Sequence, residues 1–271
     1  QPGPAVAMES ILRIIEHAAA ERSVTTPEEM EELMNELSSE EFERARDKWI
    51  ASGPRARAQD LAFRAILEAG SDEEAVALAR RALKADPECV DALAVLAELT
   101  SGDRVEEFIE RLKEAVAVGR KALAGELHDA GGGPLWDVLE ARPYMRARFR
   151  LADALRVVGR YSEAVEHLEA LMDLNPDDHQ RAREPLLACY LSQGRLDEAR
   201  ELLARFYEDE SAVFRWGRLL ERLLSDDATG AAAALERARD QNPYVERFIT
   251  FRRQPPDCKP ETYTPGTREE A

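Results

Sequence analysis

The amino-acid sequence predicts an all-α protein built from repeated helix pairs, and three observations support this prediction. Apolar residues recur at helical spacing in three segments, Ser71–Pro87, Tyr161–Pro176 and Asp227–Pro243. In each segment a proline stands twelve residues after the alanine that opens the apolar stripe. A second helix with its own apolar ladder precedes each stripe. This pattern predicts an α-solenoid, in which successive helix pairs stack on one another.

The repeat length follows from the position of the first alanine in each stripe. A fourth copy begins at Ala199, which lies 35 residues after Ala164 and 32 residues before Ala231. The repeat length is therefore close to 34 residues, which is typical of the tetratricopeptide repeat. Gly159 and Gly194 stand where the two helices of a repeat meet, and we expect a left-handed backbone conformation there.

The chain divides into three predicted regions. Residues 1–55 form an N-terminal helical cap, which covers the apolar face of the first repeat. Residues 56–253 form the solenoid of about five repeats, with an irregular stretch at about 103–142. Residues 254–271 form a tail with too many prolines for a helix or a central strand.

Capping boxes support the helices of the N-terminal region. Thr26 and Ser38 are predicted N-caps, because Glu29 and Glu41 follow each of them three residues later. The predicted helices of this region are Met8–Glu21, Pro27–Leu37 and Glu40–Trp49.

A family resemblance lies in four short segments of the repeat region, LW, EARPYMRA, LNPDD and the C-terminal NPYV. With them the sequence resembles bacterial tetratricopeptide proteins related to the suppressor of tumorigenicity 7 family. The resemblance runs from about Arg57 to the end of the sequence, where the proline-rich tail replaces a further helix of similar chains. It implies an interaction scaffold without assigned chemistry.

Composition limits the partners of the chain. There are 37 Lys and Arg residues against 54 Asp and Glu residues, a net charge of −17, so the protein repels nucleic acid and anionic membrane at long range. We therefore expect neither a nucleic-acid partner nor a membrane partner. The three cysteines, Cys89, Cys189 and Cys258, form no CxxC pair, and this scarcity predicts a cytoplasmic protein.

No residue pattern predicts catalysis, a metal site or a cofactor. The sequence has no HExxH motif and no nucleophile elbow, and the triple glycine Gly131–Gly133 is followed by no GK[ST], so we interpret it as a hinge. Cys189 lies in an apolar ladder and is predicted to be a buried structural thiol. The scattered histidines are His17, His128, His167 and His179.

The candidate binding site lies in the third repeat. Six arginines and a single acid occur between Arg142 and Arg160, which reverses the charge of the chain locally. Spacings of three and four place several of these residues on one helical face, with an arginine of the next repeat alongside. Because arginine binds carboxylates in bidentate fashion, we expect an acidic peptide or a C-terminal carboxylate as ligand. The candidate peptide-binding residues are Arg146, Phe149, Asp153, Arg156 and Arg181.

Two interpretations stay open for this segment. The arginines either face a ligand or pair internally with the abundant Asp and Glu residues. Trp136, Tyr144 and Met145 either fill the irregular gap between repeats or anchor a partner.

The predicted function is therefore a non-enzymatic scaffold that binds a peptide or partner protein in the concave groove of the repeats. One alternative is a structural protein whose ends dock on each other in self-assembly. The other is a regulatory subunit or accessory domain of an enzyme.

Overall fold

The computed structural model describes residues 3–124, 134–252, 254 and 264–271. Within these residues the chain forms fourteen α-helices, two short 3₁₀ helices and no strand, which confirms the predicted all-α class. His128, Cys258 and the Gly131–Gly133 segment lie outside the described residues, as does most of the predicted tail.

The chain divides into two compact units, Gln1–Ala154 and Leu155–Ala271. The first seven helices are α1 (Gly3–Arg22), α2 (Pro27–Glu36), α3 (Ser39–Ala51), α4 (Pro54–Leu67), α5 (Asp72–Ala85), α6 (Val90–Thr100) and α7 (Val105–Ala122). The 3₁₀ helices Leu135–Asp137 and Leu139–Ala141 precede α8 (Arg142–Val157). The remaining helices are α9 (Tyr161–Leu174), α10 (Arg183–Gln193), α11 (Leu196–Arg205), α12 (Ala212–Leu224), α13 (Ala228–Gln241) and α14 (Val245–Ile249).

The predicted capping boxes are present at the starts of α2 and α3. The Thr26 hydroxyl accepts from the Glu29 backbone N–H, and the Glu29 carboxylate accepts from the Thr26 N–H. Ser38 and Glu41 form the same reciprocal pair. These contacts satisfy backbone donors that a helix N-terminus otherwise leaves without partners.

Helix α1 begins five residues before the predicted start at Met8. Its buried residues join α2, α3 and α4 in one apolar cluster, which includes Val6, Leu33, Trp49 and Phe63. The N-terminal helices therefore pack on the first helix of the repeats.

Helix pairs α4/α5 and α6/α7 complete the repeats of the N-terminal unit. The alanines of the predicted stripe, Ala75, Ala79 and Ala82, are buried between α4, α5 and α6. A Cβ atom at Gly119 of α7 would lie 3.0 Å from Cβ of Tyr144, so this helix approaches the start of α8 closely. Tyr144 and Met145 are buried, which confirms their structural interpretation.

Pairs α10/α11 and α12/α13 follow α9 in the C-terminal unit. The repeat alanines Ala164, Ala199 and Ala231 are buried, as their spacing predicts. Gly159 and Gly194 have φ values of 78° and 67°, the left-handed conformation expected at these turns.

The last described segment packs on the C-terminal unit. The Glu270 carboxylate accepts hydrogen bonds from the backbone N–H of Ala212 at 2.9 Å and from the Asn242 side chain at 2.9 Å. Burial raises the pKa of Glu270, but the hydrogen bonds from Ala212 and Gly266 outweigh burial and hold that pKa below its ordinary value. The carboxylate therefore acts as a cap for α12.

Candidate functional site

Arg146 lies in the interior of the N-terminal unit, where its guanidinium contacts two acidic side chains. It is 11% exposed and forms ion pairs with Glu9 of α1 and with Asp91 of α6, at 2.6 Å between Nη2 and Asp91 Oδ2. Glu9 and Asp91 are themselves buried. The Arg146 guanidinium therefore contacts acidic groups of the same chain in this structure, and its role in binding an external peptide stays a prediction.

Further hydrogen bonds satisfy both buried carboxylates. Arg13 donates from Nε and Nη2 to Glu9 Oε1, at 3.1 and 3.0 Å, and from Nη2 to the Leu139 carbonyl at 2.6 Å. Gln59 of α4 donates to Asp91 Oδ2 at 2.8 Å. We call the five side chains Glu9, Arg13, Gln59, Asp91 and Arg146 the buried network; it joins α1, α4, α6 and α8.

Electrostatics keep Asp91 and Arg146 ionised. Burial raises the pKa of Asp91, but the charge of Arg146 and hydrogen bonds from Arg146 and Gln59 outweigh it, so this pKa lies below its ordinary value. Burial lowers the pKa of Arg146, whereas Asp91 and Glu9 raise it, and the net direction is upward. Two arginines and two carboxylates thus balance in charge, the condition under which buried ions are tolerated.

Internal contacts also occupy the neighbouring arginines Arg142, Arg148, Arg150 and Arg160. Arg142 donates to the Trp136 carbonyl at 2.9 Å and stacks over the Trp136 ring. The other pairs are Arg148 with the Tyr144 hydroxyl, Arg150 with Glu98 and Arg160 with Glu163. The alternative of internal pairing therefore describes Arg142, Arg146, Arg148, Arg150 and Arg160.

The other predicted site residues lie in different environments. Phe149 and Asp153 are half-buried on α8 within the N-terminal unit, and Arg156 is half-buried within the C-terminal unit. Arg181 is 47% exposed and precedes α10 in a turn, with φ of 57° and an ion pair to Glu184. The four residues at helical spacing thus share helix α8, whereas Arg181 lies outside it.

Sequence reasoning missed an apolar surface on α12. Val213, Leu220, Leu223 and Leu224 are between 39 and 54% exposed. Val213, Leu220 and Leu224 follow one another at spacings of seven and four, so they share a face of α12. We call these three residues and the adjacent Leu223 the α12 stripe. The spacing of these apolar residues was the feature of the sequence that could have predicted the surface.

Helix α12 packs closely against α10 beside the α12 stripe. Gly217 lies on the same face, and a Cβ atom there would be 2.7 Å from Leu187 Cδ2 of α10. Because glycine permits this approach, the first helices of two successive repeats lie side by side.

Three first-helix positions correspond between the repeats. Arg146, Arg181 and Val213 each stand 18 residues before the first alanine of the second helix, at Ala164, Ala199 and Ala231. In the N-terminal unit, Glu9 pairs with Arg146 and covers it. In the C-terminal unit, Arg181 and Val213 are partly exposed. The same repeat position is therefore covered in one unit and open in the other.

Reactive groups are sparse in the described part of the chain. No group of three or more His, Cys, Asp or Glu side chains within it is arranged to hold a metal ion. Burial, together with Asp91, raises the pKa of the Cys89 thiol to about 12, so this thiol is protonated at neutral pH. Cys189 is buried, as predicted. None of the helices described has the length and apolar character needed to cross a bilayer.

Residues 158–223 match the family model of the tetratricopeptide repeat. This match spans α9, α10, α11 and nearly all of α12. This segment therefore consists of tetratricopeptide repeats, as the alanine spacing predicted, and the tetratricopeptide repeat is a general protein–protein interaction module. A search of curated proteins found no match.

Two solved structures of tetratricopeptide proteins are similar to this chain. The crystal structure of YrrB, described as a tetratricopeptide protein with an unusual peptide-binding site, is 18% identical, with a TM-score of 0.51. The alignment covers 72% of this chain and 91% of YrrB. A putative kinesin light chain of Podosopora anserina, with nearly identical tetratricopeptide-like repeats, is 20% identical over 70% of this chain and 93% of its own, with a TM-score of 0.44.

Proposed function

We propose that this chain is a non-enzymatic scaffold that binds a partner protein through the first helices of its repeats. The observation that carries the proposal is the α12 stripe in the C-terminal unit, where Val213, Leu220, Leu223 and Leu224 are exposed side by side. Complete burial of one such side chain contributes about 1.5–3 kcal/mol, so a partner that covers the half-exposed stripe gains several kcal/mol. Clustered apolar exposure of this kind is typical of protein interaction sites.

Basic residues of the C-terminal unit indicate the chemistry of the partner. Arg181 and Arg222 are 47 and 45% exposed in a chain of net charge −17. Together with Arg156, they favour a ligand that carries carboxylates, because the guanidinium group binds carboxylates in bidentate fashion. We propose an amphipathic helix with an acidic edge as the occupant, with its apolar face on the α12 stripe.

The N-terminal unit contains a helix bound in the corresponding way. At the repeat position equivalent to Val213, Arg146 accommodates the carboxylate of Glu9, which projects from helix α1. The peptide-binding site described for YrrB gives a precedent for a ligand on repeats of this class.

The resemblance to relatives of the suppressor of tumorigenicity 7 family is part of the same proposal, since it also implies an interaction scaffold. The cytoplasm is the proposed compartment, on account of the scarce cysteines. We propose neither nucleic acid nor membrane as a partner, because the negative net charge of the chain repels both.

A charge substitution on the stripe tests the proposal. We would compare capture of proteins from the lysate of the source organism by the wild-type chain and by the Leu220→Glu, Leu224→Glu double variant. Thr229→Glu with Ala232→Glu is the matched control, because it adds the same charge at exposed positions of α13. A partner lost only with the first variant supports the proposal, whereas equal capture by all three baits contradicts it.

Self-assembly is the second candidate, because α1 also exposes apolar residues, Met8 at 55% and Ile11 at 40%. Light scattering at two protein concentrations separates the candidates. A mass that rises with concentration in the wild type and not in the stripe variant identifies a second copy of the chain as the occupant.

A further inference from the structure

Helix α1 packs against the rest of the N-terminal unit as a bound helix would pack against a receptor. Its Glu9 carboxylate pairs with Arg146 of α8, and its Arg13 donates to the Leu139 carbonyl. The Arg13 guanidinium also lies over the Phe63 ring of α4, 5.8 Å from its centroid. One helix thereby reaches from the first repeat to the start of α8.

Only one face of α1 is used in this contact. Val6, Ile14 and Ala18 are buried, whereas Met8 and Ile11 on the other face are 55 and 40% exposed. The buried face of α1 therefore combines apolar residues with the charged pair Glu9 and Arg13.

The charges of the buried network balance within α1 and, separately, within the surface on which α1 packs. Glu9 and Arg13, one turn apart, pair with each other on α1. Asp91 and Arg146 pair with each other on the surface beneath, and Gln59 also donates to Asp91. When α1 departs as a whole, neither side keeps an uncompensated buried charge. Removing a single side chain would instead leave such a charge, which is the costly case.

We propose that the surface formed by Gln59, Phe63, Asp91 and Arg146 is a second binding surface, for an external helix whose docking face combines apolar residues with a glutamate four residues before an arginine. Helix α1 is the intramolecular competitor of that ligand. The apparent affinity for the ligand is then reduced by the fraction of molecules in which α1 is displaced. This inference goes beyond the proposed function, which concerns the C-terminal unit.

A peptide with the sequence of residues 3–22 is the probe. Its fluorescent form is titrated with the 271-residue chain, and anisotropy reports binding. The chain variant Glu9→Gln weakens the hold of its own α1 on Arg146, so we expect it to bind the peptide about tenfold more tightly than the wild type. The matched control is Glu16→Gln, a change at an exposed position of the same helix, which should bind like the wild type.

The peptide itself supplies the second comparison. A peptide carrying the Glu9→Gln change should bind the Glu9→Gln chain about tenfold less tightly than the wild-type peptide, because it lacks the carboxylate for Arg146. Equal affinity of both peptides, or no binding of either, would overturn the inference.

Hydrogen exchange on the wild-type chain gives a measurement that needs no variant. Saturating peptide should increase exchange of the α1 backbone amides, and unchanged exchange at saturation would contradict displacement. This result decides the matter if circular dichroism shows that the Glu9→Gln chain is unfolded.

The Leu220→Glu, Leu224→Glu chain separates this inference from the proposed function. We expect that chain to bind the peptide with wild-type affinity. Loss of binding would place the peptide on the α12 stripe, which would overturn the second surface and support the first.

Discussion

The first-helix surfaces of the two units differ in chemistry although the same repeat pattern encodes them. In the N-terminal unit this surface carries Asp91 and Arg146, and α1 covers it through Glu9. In the C-terminal unit it carries the apolar α12 stripe, and Arg181 pairs with its neighbour Glu184. The repeat therefore determines where a binding surface lies, and the residues at a few positions determine whether the chain covers it.

The largest expected effect comes from Arg146→Ala. The substitution leaves the buried Glu9 and Asp91 carboxylates without their common partner, so we expect unfolding free energy to fall by about 3–5 kcal/mol. Chemical denaturation followed by circular dichroism measures the change. The control is Arg181→Ala at the corresponding repeat position, where an exposed ion pair contributes at most about 1 kcal/mol. Similar losses in both variants would contradict the distinction between the two surfaces.

Gly217→Ala tests the close contact beside the α12 stripe. The added Cβ would lie 2.7 Å from Leu187 Cδ2, so the helices must shift or Leu187 must change rotamer. Overpacking of this kind costs about 1–3 kcal/mol. Denaturation midpoints of the variant and the wild type measure the effect. Stability equal to that of the wild type would show that α10 and α12 adjust freely.

Acid pH should lower the stability that the buried network contributes through Asp91. The pKa of Asp91 is below its ordinary value, so its contribution to stability is present above the unfolded pKa, about 3.9, and is lost as pH falls through the folded pKa. We expect thermal stability to drop in this acidic range. Asp91→Asn should reduce the slope there, and an unchanged slope would show that other carboxylates cause the loss.

The smallest expected effect belongs to Ser38→Ala at the start of α3. Loss of the capping hydroxyl costs about 1 kcal/mol and leaves both first-helix surfaces intact. Denaturation measures the loss, and peptide anisotropy should show unchanged binding. An altered affinity would indicate that α3 helps to hold α1 in place.

Local signals made most of the fold predictable. The Ala164 and Ala199 spacing, the left-handed turns at Gly159 and Gly194 and the box of Thr26 with Glu29 act within one helix pair or one turn. Such features depend on neighbours in sequence, and they form as the pattern predicts.

The site was less predictable because its decisive partner is distant in sequence. Arg146 lies 137 residues from Glu9 and 55 from Asp91, and nothing in its own helix indicates either contact. The charge reversal between Arg142 and Arg160 suggested an acidic ligand. For Arg146, the acidic groups are Glu9 and Asp91 of the same chain.

The sequence by itself determined the helix pairs, their length and the all-α class, because helical periodicity and capping are local properties. Tertiary structure alone decided which charged residues are buried and which apolar residues remain exposed. Burial depends on which helices meet, and a guanidinium enters the interior only where packing delivers carboxylates such as Glu9 and Asp91 to it.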